Sequence, residues 1–305
     1  TTNQSFRLQT PWIALIHDIF HSMARIKYLL AFFAMLICIA GVGGAYYYWT
    51  KFAQPEIVVN RHISGKSGDT LERPDLGKRH FDAAMDLIKT GELVSARDRL
   101  LYLMEYFPES ATFGEARRIV GELNLDLLIS KIPIPGKTEH TVKRGEALVT
   151  IAKRSKTTID YVMRANAKTS EFIFPDEVLT VYPLNFRVLI NLVKKTVTVL
   201  DGEHFFKEYT ILDSHLPADL RAPVSTTVSE KVAWDGSKPI NFTDTNYMDC
   251  AKWLRTGKIG LFIRQLDEDN DSSKQARPYG VMLAKPDVEE LFTILREGSK
   301  VDLEK

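Results

Sequence analysis

The sequence is short of the residues that metal binding and covalent chemistry draw on. It holds only two cysteines, Cys38 in an apolar run and Cys250 in a polar region, so no disulfide framework is available. No Cys-x-x-Cys spacing occurs and the seven histidines are scattered, so neither a metal site nor a cofactor is expected. An excess of one charge sign is missing as well. Lysine and arginine number 40 against 39 acidic residues, for a net charge of +1. A dedicated nucleic-acid binder needs a basic surplus to neutralise phosphates, so that class is set aside. The hydrophobic fraction of 45% and charged fraction of 26% are those of ordinary globular protein.

Long apolar runs are scarce too, and the single one shapes the expected architecture. Residues 28–49 carry no charge and no histidine, enough to cross the roughly 30 Å hydrocarbon core as one helix. Tyr46, Tyr47, Tyr48 and Trp49 form an aromatic belt at one end, and Arg25 and Lys27 flank the other. The expectation is a single-pass protein of the inner (cytoplasmic) membrane, with residues 1–27 on the cytoplasmic side and the later domains periplasmic. A cleaved signal peptide is the alternative. Within residues 1–27, Trp12, Ile13, Ile16, Ile19, Phe20 and Met23 recur at helical spacing. They suit an interfacial helix, a partner-packing helix or an extension of the anchor.

Residues 50–75 form a polar linker and residues 76–131 a helical spacer. Phe81, Ala84, Leu87 and Ile88 make a first stripe, broken at Gly91; Leu93, Ala96, Leu100 and Leu103 make a second, stopped at Pro108. Ala84, Ala96 and Pro108 stand at intervals that resemble one tetratricopeptide unit, but one degenerate unit is a weak match and a plain short helical bundle is the favoured reading. After the Pro/Gly linker around 131–138, the pattern over 138–183 is strand, helix, helix, strand. His140-Thr-Val-Lys-Arg-Gly145, Leu148-x-x-Ile-Ala152, Ala165-Asn166, Pro175-x-x-Val-Leu179 and Val181-x-Pro183 occur in order. This segment resembles a LysM domain. The resemblance implies binding of N-acetylglucosamine polymers, peptidoglycan or chitin, in a shallow groove made by Gly145, Glu146, Ala147, Leu148, Ile173, Phe174 and Pro175. Two departures stand out. Glu146-Ala147 replaces the family's Asp-Thr or Asp-Ser, and Asp176 replaces a common glycine.

From Phe186 the period becomes two, with turns at Lys194-Lys195 and Asp201-Gly202. Residues 185–305 resemble an L,D-transpeptidase catalytic domain of the YkuD type. The opening meander, the 221–228 element, the 258–266 strand and the Asp287-Val-Glu-Glu-Leu291 helix followed by Gly298-Ser-Lys-Val301 carry the resemblance. That family uses a cysteine thiolate, an activating histidine and a motif arginine. Counting back from Asp287 puts the nucleophile position on Gly280 (Val281 with a one-residue slip) and the arginine position on Met282. The histidine position falls on Arg264. No catalytic residue is therefore expected. Cys250, on an expected amphipathic helix over 246–257, is the fallback thiol. The acidic stretch 266–277 lacks the glycine and closing Glu of a calcium loop.

The expected fold class is multidomain α+β: one N-terminal transmembrane helix, a short helical bundle, a βααβ LysM domain and a mainly-β transpeptidase-like domain. The expected function is peptidoglycan binding through LysM, with a transpeptidase-like pseudoenzyme as scaffold. The expected partners are peptidoglycan, the membrane and an envelope protein complex. The alternatives are an active transpeptidase with its thiol relocated to Cys250, and a pure interaction subunit of an envelope complex.

Overall fold

The structure, a computed structural model, describes residues 74–247, 249–266 and 278–304. The expected fold class needs correction on one point. Among the described residues no helix is long and apolar enough to cross a membrane. The longest of the described helices, Phe113–Ile129, carries Glu115, Arg117, Arg118, Glu122 and Asp126 along its length. The described residues instead form a mixed α+β arrangement of six helices and a large curled sheet. The expected span at 28–49, the segment 1–27 before it and nearly all of the linker 50–75 lie outside the described residues, as does the acidic stretch at 267–277.

Residues Asp75–Lys305 form one compact unit. It begins with three helices, α1 (Leu76–Lys89), α2 (Leu93–Tyr106) and α3 (Phe113–Ile129). The Asp75 side chain caps α1 by accepting from Lys78 N at 3.1 Å, and it also accepts from Ser110 Oγ at 2.9 Å and Ala111 N at 3.0 Å. One carboxylate thus fixes the start of α1 to the turn between α2 and α3. Ala84 and Ala96 are fully buried, small enough for the first two helices to approach closely, with Leu100, Leu103, Ala116 and Val120 completing this core.

The next segment folds as β1 (Thr138–Thr141), α4 (Leu148–Arg154), α5 (Ile159–Ala165) and β2 (Val178–Val181), with β1 and β2 antiparallel from Thr138↔Val181 to Thr141↔Val178. Thr158 caps α5 by accepting from Tyr161 N at 2.9 Å. The remaining chain builds a sheet from β3 (Phe186–Asn191), β4 (Thr196–Asp201), β5 (His204–Thr210), β6 (Asp213–His215), β7 (Val224–Trp234), β8 (Pro239–Ile240), β9 (Ala251–Thr256), β10 (Phe262–Gln265), β11 (Gly280–Leu283) and β12 (Lys300–Glu304). Their order is β5-β4-β3-β12-β7-β9-β10-β11-β6, with β8 on β7. Two pairs, β3 with β12 and β10 with β11, are parallel. Helix α6 (Lys285–Ile294) packs on the sheet through Val288, Leu291, Phe292 and Ile294.

The expected helix around Cys250 is replaced by turns and strand β9. Tyr247, Cys250, Ala251 and Leu254 have helical spacing, but they straddle a turn. From Ala251 onward the side chains alternate instead, with Lys252, Leu254 and Thr256 buried between β7 and β10. Two flanking strands satisfy the backbone there, which overrides local spacing.

Candidate functional site

Two places were expected to matter, the groove of the βααβ segment and the strand–helix junction at 280–286. At the groove, two loops meet below the β1–β2 pair. Val142 N donates to Glu177 O at 2.8 Å and Asp176 N to Val142 O at 2.9 Å, which ties the loop before α4 to the loop before β2. Asn166 holds the second loop from behind, accepting from Thr180 N at 2.8 Å and donating to Val162 O at 2.8 Å. Glu177 accepts from Phe174 N at 3.0 Å and pairs with Lys168 at 2.7 Å. Gly145 turns at φ +82°, a conformation that favours glycine.

The seven expected groove residues divide into three kinds. Gly145, Ala147, Phe174 and Pro175 are exposed, Glu146 and Ile173 are half-buried, and Leu148 lies in the core at 3% exposure. Glu146 serves the fold itself. Its carboxylate accepts from Lys143 N at 2.9 Å, meets His140 Nε2 at 2.8 Å and pairs with Arg154 at 2.8 Å. The Lys143 backbone bond, then the His140 bond and Arg154, pull its pKa from 4.5 to about 2. The two faces turned outward are Phe174, 68% exposed, and Phe172, 71% exposed. Phe172 was not anticipated. The sequence signal for it is the Phe-Ile-Phe alternation, which sends Ile173 inward and both rings outward. Flat apolar faces on tied loops suit a neutral, ring-shaped ligand such as a sugar.

At the second place the structure brings the expected positions together. Arg264 of β10 and Met282 of β11 are direct partners across a parallel pair, and Gly280 lies opposite His215 on β6. None of them faces solvent. Val281 and Met282 are fully buried. Gly280 has φ +141°, and a Cβ there would stand 2.9 Å from the Phe262 carbonyl oxygen. Arg264 is 1% exposed, donating to Gln265 O at 3.2 Å and Pro278 O at 3.3 Å, with its guanidinium 5.4 Å from the Trp253 ring centre. Cys250, in the turn before β9, is 6% exposed. Its Sγ lies 3.1 Å from Tyr247 O and 3.2 Å from Lys252 Nζ, so its polar neighbours are a carbonyl and an ammonium, not an imidazole. Among the described residues no group of three or more His, Cys, Asp or Glu is arranged to hold a metal ion.

Residues 140–181 match the LysM domain family. No curated protein matches the chain in sequence. Among solved structures, the chain is similar to an L,D-transpeptidase from Enterococcus faecium, a cysteine-to-serine mutant, at 14% identity over 44% of this chain and 57% of that one, with a TM-score of 0.28. It is similar to the L,D-transpeptidase (Yku) of Stackebrandtia nassauensis at 12% identity, over 53% of this chain and 68% of that one, TM-score 0.29. Mycobacterium tuberculosis L,D-transpeptidase 1 is similar at 12% identity, 43% and 68% coverage and TM-score 0.28. At these values the likeness says nothing of activity.

Proposed function

We propose that this protein binds the glycan of peptidoglycan through the LysM domain at 140–181, and that the β-domain behind it is a non-catalytic scaffold. The observation that carries the first half is the LysM match, whose groove loops bear the exposed rings of Phe172 and Phe174. A peptidoglycan ligand implies work in the cell envelope. The scaffold half is supported by burial. The positions where transpeptidase chemistry would need an open thiol and a free arginine are Gly280, Val281 and Met282, all enclosed in the sheet. Among the described residues the one thiol, Cys250, is buried against Tyr247 and Lys252.

Co-sedimentation with purified peptidoglycan sacculi tests the binding half. The full chain is expected in the pellet. Replacing both Phe172 and Phe174 by alanine is expected to weaken binding about tenfold, if each ring contributes about 0.7 kcal/mol. A folded wild-type chain that stays in the supernatant overturns the reading.

A further inference from the structure

Behind the LysM helices lies a cleft of about 590 Å³, within the range of small-ligand sites. One wall is α4 and the start of α5; the other is β7, β8 and α6. Its floor is a closed polar cluster. Tyr247 Oη donates to Asp160 Oδ1 at 2.9 Å, and Lys231 Nζ sits 3.4 Å from Asp160 Oδ2 while donating to the Phe292 carbonyl. These groups satisfy one another. Three features of the walls and mouth do not close on themselves. Lys153 and Lys156 are exposed at the rim and form no ion pair with any described residue. Thr157, between Lys156 and the α5 cap, is 6% exposed and lines the cleft, yet its hydroxyl has no hydrogen-bond partner. A buried polar group without a partner is uncommon in a folded protein and marks a position a ligand atom can fill. Opposite these groups, Ile240 and Phe242 offer an apolar surface.

The cleft and the groove share a helix. Ala147 stands at the groove end of α4 and Lys153 at the cleft end, six positions or about 9 Å along the axis. An extended peptide of three residues spans about 10 Å. We infer that the cleft takes a short peptide bearing free carboxylates, seated by Lys153, Lys156 and the Thr157 hydroxyl. Resting on the proposed function, we assign that peptide to the one attached to the glycan in the LysM groove. The apolar surface takes the peptide's side chains, and the two lysines select its carboxylates.

The test titrates the full chain calorimetrically with three probes: a peptidoglycan disaccharide, the same disaccharide carrying its tripeptide, and that fragment with its carboxylates amidated. The peptide-bearing fragment is expected to bind at least tenfold more tightly than the bare disaccharide, and amidation is expected to remove the gain. The double variant K153E/K156E is expected to remove it too, whereas K194E on the β3–β4 turn leaves it intact. Thr157→Val deletes an unpartnered hydroxyl, so the fold is expected to hold while the gain shrinks. Equal affinity for the first two probes, or a gain that survives K153E/K156E, overturns the cleft and leaves the groove standing. Lysine-dependent binding of the peptide fragment with no binding of the bare disaccharide supports the cleft and overturns the glycan reading.

Discussion

At position 280 two constraints meet on one residue. The backbone sits at φ +141°, where side chains are rarely found, and the Phe262 carbonyl oxygen closes the space a Cβ would enter. Gly280→Cys, which restores the element a transpeptidase would carry, is therefore expected to cost about 1–3 kcal/mol in denaturant unfolding. The new thiol is expected to resist labelling in the folded state. A variant as stable as the wild type with a rapidly labelled thiol would falsify the view that this strand is closed to chemistry. The position was reached by counting from Asp287, and the strand register places Arg264 opposite Met282. What the sequence did not reveal was enclosure. That comes from both flanking strands, β10 with the Phe262 carbonyl on one side and, on the other, β6, which pairs with β11 from more than sixty residues away with Gly280 opposite His215. Nothing in residues 278–286 themselves encodes that cover. The setting of Cys250 was not legible, because apolar spacing across a turn imitates a helix.

Element order in the βααβ segment was legible, since capping by Thr158, the break at Gly145 and the apolar β2 are local signals; the polar β1, Thr-Glu-His-Thr, gave no such signal for its bounds. The part played by Glu146 was not legible. In the sequence Glu146 stands only as a departure from the family's aspartate and as one of the expected groove residues. In the structure it is a staple between the β1–α4 loop, His140 on β1 and Arg154 at the end of α4. Its folded pKa lies below the ordinary 4.5, at about 2. The carboxylate therefore adds stability that is complete above pH 4.5 and is lost as pH falls toward 2. Glu146→Gln is expected to melt at a lower temperature than the wild type at pH 7, and the gap is expected to narrow steadily below pH 4.5. Melts at pH 7, 4.5 and 3 measure this. A gap unchanged at pH 3 would mean that the charge plays no part in holding the loop.

Beside the separate core of α1–α3, a second core joins α3, residues 140–181 and the sheet, segments that sequence treats as beads between linkers. Leu125 and Leu128 of α3, Tyr161 of α5, Leu184 and the β3–β4 pair belong to one apolar cluster, and Tyr161 Oη donates to Leu128 O at 3.0 Å. The linkers were legible from Pro and Gly; the shared core was not, because its contacts join residues far apart in the chain. Lys207 on β5 shows how the joint is made. It is 5% exposed, and its ammonium lies 2.7 Å from Glu122 on α3 and 2.7 Å from Glu290 on α6. Its stem lies against Gly121, where an added Cβ would stand 2.9 Å from the Lys207 Cγ. Lys207→Met keeps that stem and removes only the charge, so it separates electrostatics from packing. Burial and the neighbouring Glu290 already raise the Asp287 pKa, so without the ammonium three carboxylates face one another. The variant is expected to lose about 1–3 kcal/mol at pH 7, toward the low end because Glu122 is half exposed and regains water. The loss is expected to be smaller at pH 4, where protonation relieves the repulsion. Because α3 contributes to both cores, hydrogen exchange is expected to show α1–α3, residues 140–181 and the sheet losing protection at one denaturant concentration, in the variant as in the wild type. If the helices open well before the sheet, the segments are separately stable units, and Lys207 is a surface contact between them instead of a tie within one core.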